Sequence, residues 1–223
     1  KVYNIHIQDP KVQINNFSFI VVPEHDRLEG ENIIKSKGAI HYITDEEIQG
    51  AKALTISKNV LTVILGGPNK YYSFSLEELK RLFHKIELLF LNRVEEIKII
   101  SSRRTPESIV SFLRDRYKDN SKVIVDSSLS RKNYIEALAQ AKKIIVTSDS
   151  ISMLSEAATT GVPIYLAKLK SYKNDHRFDS FLELFKKLNI IKDLETNEDS
   201  WTYDKLYETK RIAELLKNKI TLS

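Results

Sequence analysis

The sequence predicts an α/β protein with a doubly wound parallel sheet, because five short apolar runs alternate with helical stretches. The most compact unit is IIVTSDSISMLSEAATTGVP at residues 144–163, which reads as a strand, a turn and a short helix. Gly161 ends that helix, and the apolar run Ile164–Leu166 follows as the next strand. The polar residues of the unit fall at the carboxyl end of a strand, where parallel sheets usually bind ligands.

Three short strands are predicted before the main sheet, at Val2–Ile7, Phe17–Val22 and Ala39–Ile43. The first two end in polar turns that contain a proline, which is typical of strand ends. From Thr44 the segment TDEEIQGAKAL becomes helical, with acidic residues in the first turn, where the helix dipole favours them. A lobe boundary is therefore predicted near Thr44.

The main sheet is predicted from the compact unit and from three earlier strands, Val60–Leu65, Ile97–Ile100 and Val123–Val125. The helices between them are predicted from Ser75 to about Phe90, from Thr105 to about Tyr117, and over Tyr134–Ala141. Ser75 and Glu78 have capping-box spacing, and Thr105 stands as an N-cap before Pro106. Beyond the sheet, apolar residues recur at helical spacing from Phe178 to Leu188, and a final helix is predicted over about Tyr203–Lys217.

The composition is that of a soluble globular protein: 42% of the 223 residues are hydrophobic, 29% are charged, and the mean hydropathy is −0.31. The net charge of +5 and the pI near 9.1 suit anionic ligands or an anionic membrane surface. We expect no nucleic-acid partner, because the chain has no dense Lys/Arg block, aromatic RNP motif or zinc-finger spacing. The lack of cysteine excludes disulfides and thiolate metal sites and fits a reducing cytoplasm.

No apolar run approaches the roughly 18 residues of a membrane span, and no signal-peptide pattern opens the chain. The sequence begins with Lys1 and a strand-like run rather than with Met, which we interpret as a sign that an upstream part is missing. The five histidines lack metal-ligand spacing and no Asp-x-Asp pair occurs, so neither a metal nor a cofactor is predicted.

Two strand ends carry turns whose residues suit an anionic ligand. In the first turn, GGPNK at 66–70, the paired glycines let the backbone approach a phosphate and the lysine can neutralise its charge. The alternative is a tight turn without a ligand. In the second turn, SSRRTP at 101–106, two arginines at a helix start would bind a diphosphate. The alternative is that both arginines are solvated on the surface. The residues predicted to bind at these turns are Gly66, Gly67, Asn69, Lys70, Ser102, Arg103 and Arg104.

The third turn belongs to the compact unit, where Asp149 and Ser150 precede the helix. Ser152, Ser155 and Glu156 share one side of that helix, because they lie three and four residues apart. Hydroxyls at a helix start suit a phosphate, and a carboxylate one turn later can accept both hydroxyls of a ribose. The alternative is a capped surface helix, yet Ser is a poor choice inside a helix without a partner. The three turns together predict a nucleotide site.

One histidine lies outside the main sheet at the end of a predicted strand, in the turn PEHDR at 23–27. With Asp26 nearby, His25 is a candidate general base, a role that suits histidine near neutral pH. A loop histidine with satisfied hydrogen bonds is the alternative.

Six motifs resemble, in order, those of the mitochondrial-fission Elm-type family. They are HIQDP at 6–10, VVPEHDRL at 21–28, GAIH at 38–41, ILGGPNK at 64–70, SRRTP at 102–106 and VTSDSISMLSEAATTGVPIY at 146–165. The resemblance covers roughly residues 1–170. Bacterial members of the family are described as GT-B-type glycosyltransferases and sometimes as nucleoside-diphosphate-sugar epimerases, and they are normally longer at the N-terminus.

The resemblance implies two Rossmann-like lobes around a cleft. Residues 1–44 would be the remnant of the acceptor-side lobe, 45–200 the nucleotide-sugar-binding lobe, and 201–223 a helix packing back across both. Glu156 is expected to bind the ribose, and Arg103 and Lys70 to neutralise phosphate. His25 would be the base for the acceptor. The diphosphate or sugar would lie near Ser150, Ser152, Met153 and Ser155.

The function that we expect is a metal-independent glycosyltransferase that moves a sugar from a nucleoside-diphosphate donor to an unknown hydroxyl acceptor. One alternative is a nucleoside-diphosphate-sugar epimerase on the same fold, for which His25 and Asp26 would move the proton. A second is a non-catalytic recruitment protein on a membrane surface, with basic helices around Lys186, Lys187 and 217–219. The expected location is the cytoplasm, or the inner face of a membrane.

Overall fold

The computed structural model describes residues 2–54, 58–173, 176–196 and 199–221. It contains two parallel sheets, a three-stranded one near the N-terminus and a six-stranded one that follows it along the chain. The predicted doubly wound parallel sheet is confirmed.

The small sheet has the order β1-β2-β3, and all its strands are parallel. The strands are β1 Ile5–Ile7, β2 Phe19–Pro23 and β3 Ile33–Ser36. The predicted strand at Ala39–Ile43 is wrong, because β3 lies earlier and this segment is a loop. The backbone amides of this loop donate to side-chain hydroxyls instead of to a neighbouring strand. Ala39 N donates to Ser155 Oγ at 2.9 Å, and His41 N donates to Thr209 Oγ1 at 3.1 Å.

The large sheet has the order β6-β5-β4-β7-β8-β9 and is also parallel throughout. Its strands are β4 Val60–Leu65, β5 Glu96–Ser101, β6 Val123–Asp126, β7 Ala141–Thr147, β8 Ile164–Ala167 and β9 Ile191–Asp193. The helices are α1 Asp45–Ala53, α2 Leu76–Phe90, α3 Glu107–Tyr117, α4 Arg131–Gln140, α5 Ile151–Ala157, α6 His176–Lys187 and α7 Glu208–Thr221. The sequence did not predict β9, and α7 begins at Glu208 rather than at Tyr203.

Both faces of the large sheet are covered, which is why β4 is an uninterrupted run of buried residues. Val63 points to the side where Phe83 of α2 and Leu113 of α3 pack. Its neighbour Ile64 points to the other side, with Leu138 of α4 and other residues of α5 and α6. The two cores leave the carboxyl ends of the strands open for a site.

Two helix starts differ from their predicted form. Ser75 Oγ accepts from Glu78 N at 3.2 Å, but the Glu78 carboxylate accepts from Ser73 Oγ at 2.8 Å instead of closing a capping box. Thr105 is not the N-cap of α3, because Pro106 occupies that position. Thr105 Oγ1 instead accepts from Ser102 N at 2.8 Å and holds the preceding turn together.

Helix α7 packs on the small sheet through Ile212, which contacts Val21 and Ile34. Arg211 Nη2 donates to Lys35 O at 2.8 Å, which fixes the end of β3 to the helix. Among the described residues, no helix is long and apolar enough to cross a bilayer.

The loop between the small sheet and α1 also contacts α5 closely. A Cβ atom on Gly38 would lie 2.7 Å from Ser155 Oγ, so a larger residue has no room there. The same hydroxyl accepts from Ala39 N and donates to Ile151 O at 2.9 Å. Ser155 is buried and joins α5 to the connection between the two sheets.

Candidate functional site

Two clefts open at the carboxyl ends of the strands. The first, which we name the α4–α5 cleft, has a volume of about 410 Å³. It is lined by Tyr42, Ile64, Ile100, Ser101, Ser102, Arg103, Asp126, Ser128, Leu129, Ser130, Arg131, Tyr134, Met153 and Glu156. The second, the inter-lobe cleft, has a volume of about 420 Å³ and lies between the small sheet with its loops and helices α5 and α6. Among its lining residues are Asp9, Lys11, His25, Asp26, Ser152 and Arg177.

The side chain of Asp149 is fully buried and connects the three predicted turns. Its Oδ2 accepts from Gly67 N and from Arg104 Nη2, each at 2.9 Å, and its Oδ1 accepts from Thr147 Oγ1 at 2.7 Å. Asn69 Nδ2 donates to the backbone oxygen of Asp149 at 3.1 Å. We call Asp149 and these partners the turn network.

The paired glycines are required by this network. A Cβ atom on Gly66 would lie 2.0 Å from Asp149 Oδ2, and one on Gly67 would lie 2.1 Å from Arg104 O. Real Cβ atoms do not approach other heavy atoms so closely, so each glycine allows two turns to touch. The close packing of the turns therefore explains why both positions are glycine without requiring a bound ligand.

The two adjacent arginines have different surroundings. Arg104 donates through Nη1 to Gly67 O at 2.9 Å and through Nη2 to Asp149, so its guanidinium is used within the protein. Arg103 is exposed and lines the α4–α5 cleft, and within the described ranges it makes no hydrogen bond or ion pair. Arg103 is therefore the cation that remains available to a ligand in this cleft.

Glu156 is half-buried at the other side of the α4–α5 cleft. Its Oε2 accepts from the hydroxyl of Tyr134 at 2.8 Å. Burial raises the pKa of the Glu156 carboxyl above its usual value of 4.5, and the bond from Tyr134 offsets part of that rise. A carboxylate held in this way can accept hydrogen bonds from the hydroxyls of a ligand.

The residues predicted to form a binding face of α5 lie in different environments. Ser150 caps the helix by accepting from Met153 N at 3.4 Å, and Ser152 is exposed in the inter-lobe cleft. Met153 and Glu156 line the α4–α5 cleft, whereas Ser155 is buried at the connection described above. The prediction that these residues share one ligand-binding side is therefore wrong for Ser155, because its hydroxyl is used by the backbone at 39.

His25 and Asp26 lie in the inter-lobe cleft, on a 3-10 turn that follows β2. The His25 ring is buried and meets the Phe181 ring of α6 edge-on, with centroids 5.6 Å apart. Asp26 Oδ1 accepts from Arg177 Nη1 at 3.2 Å. Both contacts connect the small sheet to α6 of the large one.

Lys70 lies outside both clefts. Its Nζ stands 4.7 Å from the centroid of the Tyr71 ring, and the side chain is otherwise exposed. Ser102 is half-buried; it lines the α4–α5 cleft while its Oγ donates to Gly66 O at 2.9 Å.

Several residues of the α4–α5 cleft were not predicted from the sequence. Asp126 ends β6, so the rule that was applied to the other strand ends could have identified it. Burial alone would raise the pKa of Asp126, but hydrogen bonds from Ser128 and Asn133 hold it below its usual value. No sequence signal marked Tyr42, because it reaches the cleft from the connection between the sheets. Among the described side chains, no group of three or more His, Asp or Glu is placed to bind a metal ion.

Two parallel α/β sheets with a cleft between them, and a second cleft at the strand ends of the larger sheet, define a GT-B-like protein, as predicted. The profile of the family described as Mitochondrial fission ELM1 matches residues 1–220, and the chain belongs to this family. The predicted resemblance is thus confirmed, and it extends beyond residue 170.

Two relatives and two solved structures are similar to the chain. An uncharacterized protein of Rickettsia prowazekii is 32% identical over 204 residues, which cover 87% of this chain and 57% of that protein. Mitochondrial fission protein ELM1 of Arabidopsis thaliana is 23% identical over 251 residues, 98% of this chain and 58% of that protein. The chain therefore spans less than two-thirds of the length of either relative.

A putative UDP-N-acetylglucosamine 2-epimerase from Listeria monocytogenes has a TM-score of 0.51 at 12% identity. The match covers 93% of this chain and 61% of that one. MurG of Acinetobacter baumannii has a TM-score of 0.48 at 14% identity, over 89% of this chain and 52% of that one. At these identities the first similarity is evidence for the fold alone.

Proposed function

We propose that the α4–α5 cleft binds the nucleoside diphosphate of a sugar donor, and that the protein transfers the sugar to a hydroxyl acceptor. The observation that carries the proposal is the pairing, in one cleft, of an unpartnered arginine with a partly buried carboxylate. Neither group alone identifies a nucleotide. Together they match two parts of a nucleotide, the anionic diphosphate and the hydroxyl-bearing ribose.

Arg103 suits the diphosphate, because a guanidinium forms two parallel hydrogen bonds to phosphate oxygens. Within the described chain its charge has no internal counterion, in contrast to Arg104. Charge that develops on the leaving diphosphate would be stabilised there, which lowers the barrier to breaking the bond to the sugar.

Glu156 suits the ribose and would repel a phosphate. A carboxylate oxygen accepts hydrogen bonds only, so two neighbouring hydroxyls are a better match for it than an anion. The hydroxyl of Tyr134 holds one oxygen in place at 2.8 Å. Arg103 and Glu156 would therefore orient the nucleotide along the cleft.

The transfer step would join the two clefts. The bond between the anomeric carbon and the diphosphate oxygen breaks, and the acceptor oxygen bonds to that carbon. The acceptor proton passes to the imidazole of His25, which lines the inter-lobe cleft together with Ser152 of α5. Ser150 would lie beside the sugar, and Asp26 would hold the turn that carries His25 through its hydrogen bond from Arg177.

Thermal unfolding with UDP-, GDP- and ADP-sugars tests donor binding. We expect at least one donor to raise the melting temperature of the wild type, because ligands that bind only the folded state stabilise it. Arg103→Ala and Glu156→Gln should reduce that rise. Arg81→Ala, an exposed arginine of α2 outside both clefts, is the matched control and should not. No stabilisation by any donor would overturn the proposal.

The same donor site would serve an epimerase, and the protein from Listeria monocytogenes that shares the fold carries that name. Incubation of the full-length protein with the donor alone distinguishes the two reactions. An isomeric nucleotide sugar formed without acceptor would favour the epimerase. A product formed only with added acceptor would favour the transferase.

A non-catalytic role on a membrane surface is a second candidate, and the basic ends of two helices are the observation that supports it. Lys186 pairs with Asp193 at 3.0 Å, so its charge is partly neutralised, and Lys217 and Lys219 of α7 are exposed. Two variants tested in cells distinguish this role from sugar transfer: charge reversal at 217 and 219, and Glu156→Gln. If charge reversal abolishes the activity of the protein and Glu156→Gln leaves it unchanged, the membrane role is supported over transfer.

A further inference from the structure

We propose that Tyr42 and Arg131 form the stacking surface for the planar heterocyclic base of the nucleotide, at one end of the α4–α5 cleft. This inference rests on the proposed function, because it names a further subsite of the same cleft.

Tyr42 is a large aromatic residue that the core does not use. Its side chain is 75% exposed, and it lies on the connection between β3 and α1. The guanidinium carbon of Arg131 stands 5.1 Å from the centroid of its ring. A single exposed aromatic residue is ordinary, so the position of Arg131 decides what this one does.

Arg131 is held in place by an ion pair with Glu47 of α1. Its Nη1 lies 2.6 Å from Glu47 Oε1, and its Nη2 lies 2.9 Å from Glu47 Oε2, so both carboxylate oxygens are engaged. Such a two-point contact sets the plane of the guanidinium. Helices α1 and α4 thereby hold Tyr42 and Arg131 together at the cleft wall.

The first turn of α4 relates this pair to the proposed ribose site. Arg131 and Tyr134 are three residues apart, so they project from the same face with about 5–6 Å between their Cβ atoms. Arg131 contacts Tyr42, and Tyr134 contacts Glu156. The base and ribose of a nucleoside are directly bonded, so one nucleoside spans the distance between these two contacts.

The loop before α4 completes the surface. Asp126 accepts from Ser128 N and from Asn133 Nδ2, each at 2.8 Å, which fixes the course of the loop. Leu129 at its tip has φ of 55°, a left-handed value that costs free energy for a residue with a side chain, and it is 56% exposed. The backbone groups of this loop lie where they can meet the edge of a stacked base.

Calorimetric titration with three probes separates the parts of the nucleotide. UDP carries base, ribose and diphosphate, ribose 5-phosphate lacks the base and one phosphate, and pyrophosphate lacks both base and ribose. We expect Tyr42→Ala to weaken UDP binding about tenfold, the size of one lost base–aromatic stack, and to leave the other two probes unchanged. Tyr42→Phe should bind UDP like the wild type, because stacking needs the ring and not the hydroxyl.

The matched control is Tyr172→Ala, since Tyr172 is 66% exposed and lies outside both clefts. Tyr42→Trp gives a second readout that does not depend on affinity. The native Trp201 is buried against Tyr165, so a ligand-dependent change in fluorescence reports on the introduced indole. We expect quenching by UDP and none by pyrophosphate.

The outcomes separate this inference from the proposed function. Unchanged UDP affinity in Tyr42→Ala, or an equal loss for UDP and pyrophosphate, would overturn the stacking surface and leave donor binding intact. Failure of the wild type to bind UDP, GDP or ADP would overturn the proposed function itself. A tenfold loss confined to the probe with a base supports both.

Discussion

The turn network and the α4–α5 cleft lie at the same edge of the large sheet, yet their polar groups are used differently. In the turn network, the Asp149 carboxylate, the Arg104 guanidinium and the amide of Gly67 bind one another. In the cleft, Arg103 has no partner among the described residues, and Glu156 has one phenol. Polar residues at a strand end can thus serve to join turns or to face a ligand, and neighbours along the chain divide between the two roles.

The largest expected effect is on the turn network. Asp149→Ala leaves Gly67 N, Thr147 Oγ1 and Arg104 without their acceptor. We expect a loss of about 3 kcal/mol in the free energy of unfolding, at the lower end for a broken buried pair because Arg104 reaches solvent. Urea unfolding measures it, with Ser152→Ala as the control. A loss below 1 kcal/mol would contradict the central role of Asp149.

The next effect tests whether the glycines serve the turns. In Gly67→Ala the new methyl would meet the Arg104 backbone oxygen at 2.1 Å, so the two turns must separate. We expect destabilisation of about 2–3 kcal/mol. Gly50→Ala is the matched control, because nothing lies within 4 Å of its Cβ position and α1 should gain about 1 kcal/mol. Equal effects of both substitutions on the midpoint of urea unfolding would show that contact between the turns is unimportant.

A smaller effect is expected at the unpartnered arginine of the cleft. Arg103→Ala breaks no contact of the described protein, so its free energy of unfolding should change by less than about 0.5 kcal/mol. Its affinity for pyrophosphate should fall about tenfold, as expected when one charge-assisted contact is lost. Calorimetric titration and urea unfolding on the same samples make the comparison. A variant that loses stability but keeps its affinity would place Arg103 with the turn network.

The smallest effect concerns the protonation of Glu156. Because burial raises the pKa of Glu156, the folded protein holds its proton more tightly than the unfolded chain. The contribution of this group to stability is therefore present below pH 4.5 and is lost as the pH rises through the higher pKa of the folded state. Glu156→Gln removes this dependence. The variant should gain stability relative to the wild type between pH 4 and neutral pH in urea unfolding, and a constant difference would contradict the burial of the charge.

The large sheet could be predicted because its central strands are continuous apolar runs, as in β4, which is buried on both faces. The edge strand β9 could not, since Ile191–Asp193 is short and two of its three residues are charged. Residues 39–43 resemble a strand in sequence, but their backbone amides at 39 and 41 donate to side chains of α5 and α7 instead of to a neighbouring strand. Only the tertiary structure decides between these two conformations.

The position of the candidate site could be anticipated from the sequence, but the surroundings of its individual residues could not. Parallel strand ends identified the turns, and the resemblance identified Glu156 as the carboxylate of interest. Arg103 and Arg104 are equivalent in the sequence, and they differ only because the Asp149 side chain reaches one of them. Tyr42 was missed because it comes from a connection, whose path past α4 depends on contacts remote in sequence.

The contact of Gly38 with Ser155 has an evolutionary consequence. A side chain at position 38 would displace the hydroxyl that accepts from Ala39 N, so neither position is free to vary alone. Across relatives we expect the two positions to covary: glycine at the first where serine stands at the second, and larger residues at the first only beside a smaller partner. The connection between the sheets and helix α5 would then be inherited as one unit, although 116 positions separate the hydroxyl from its donor.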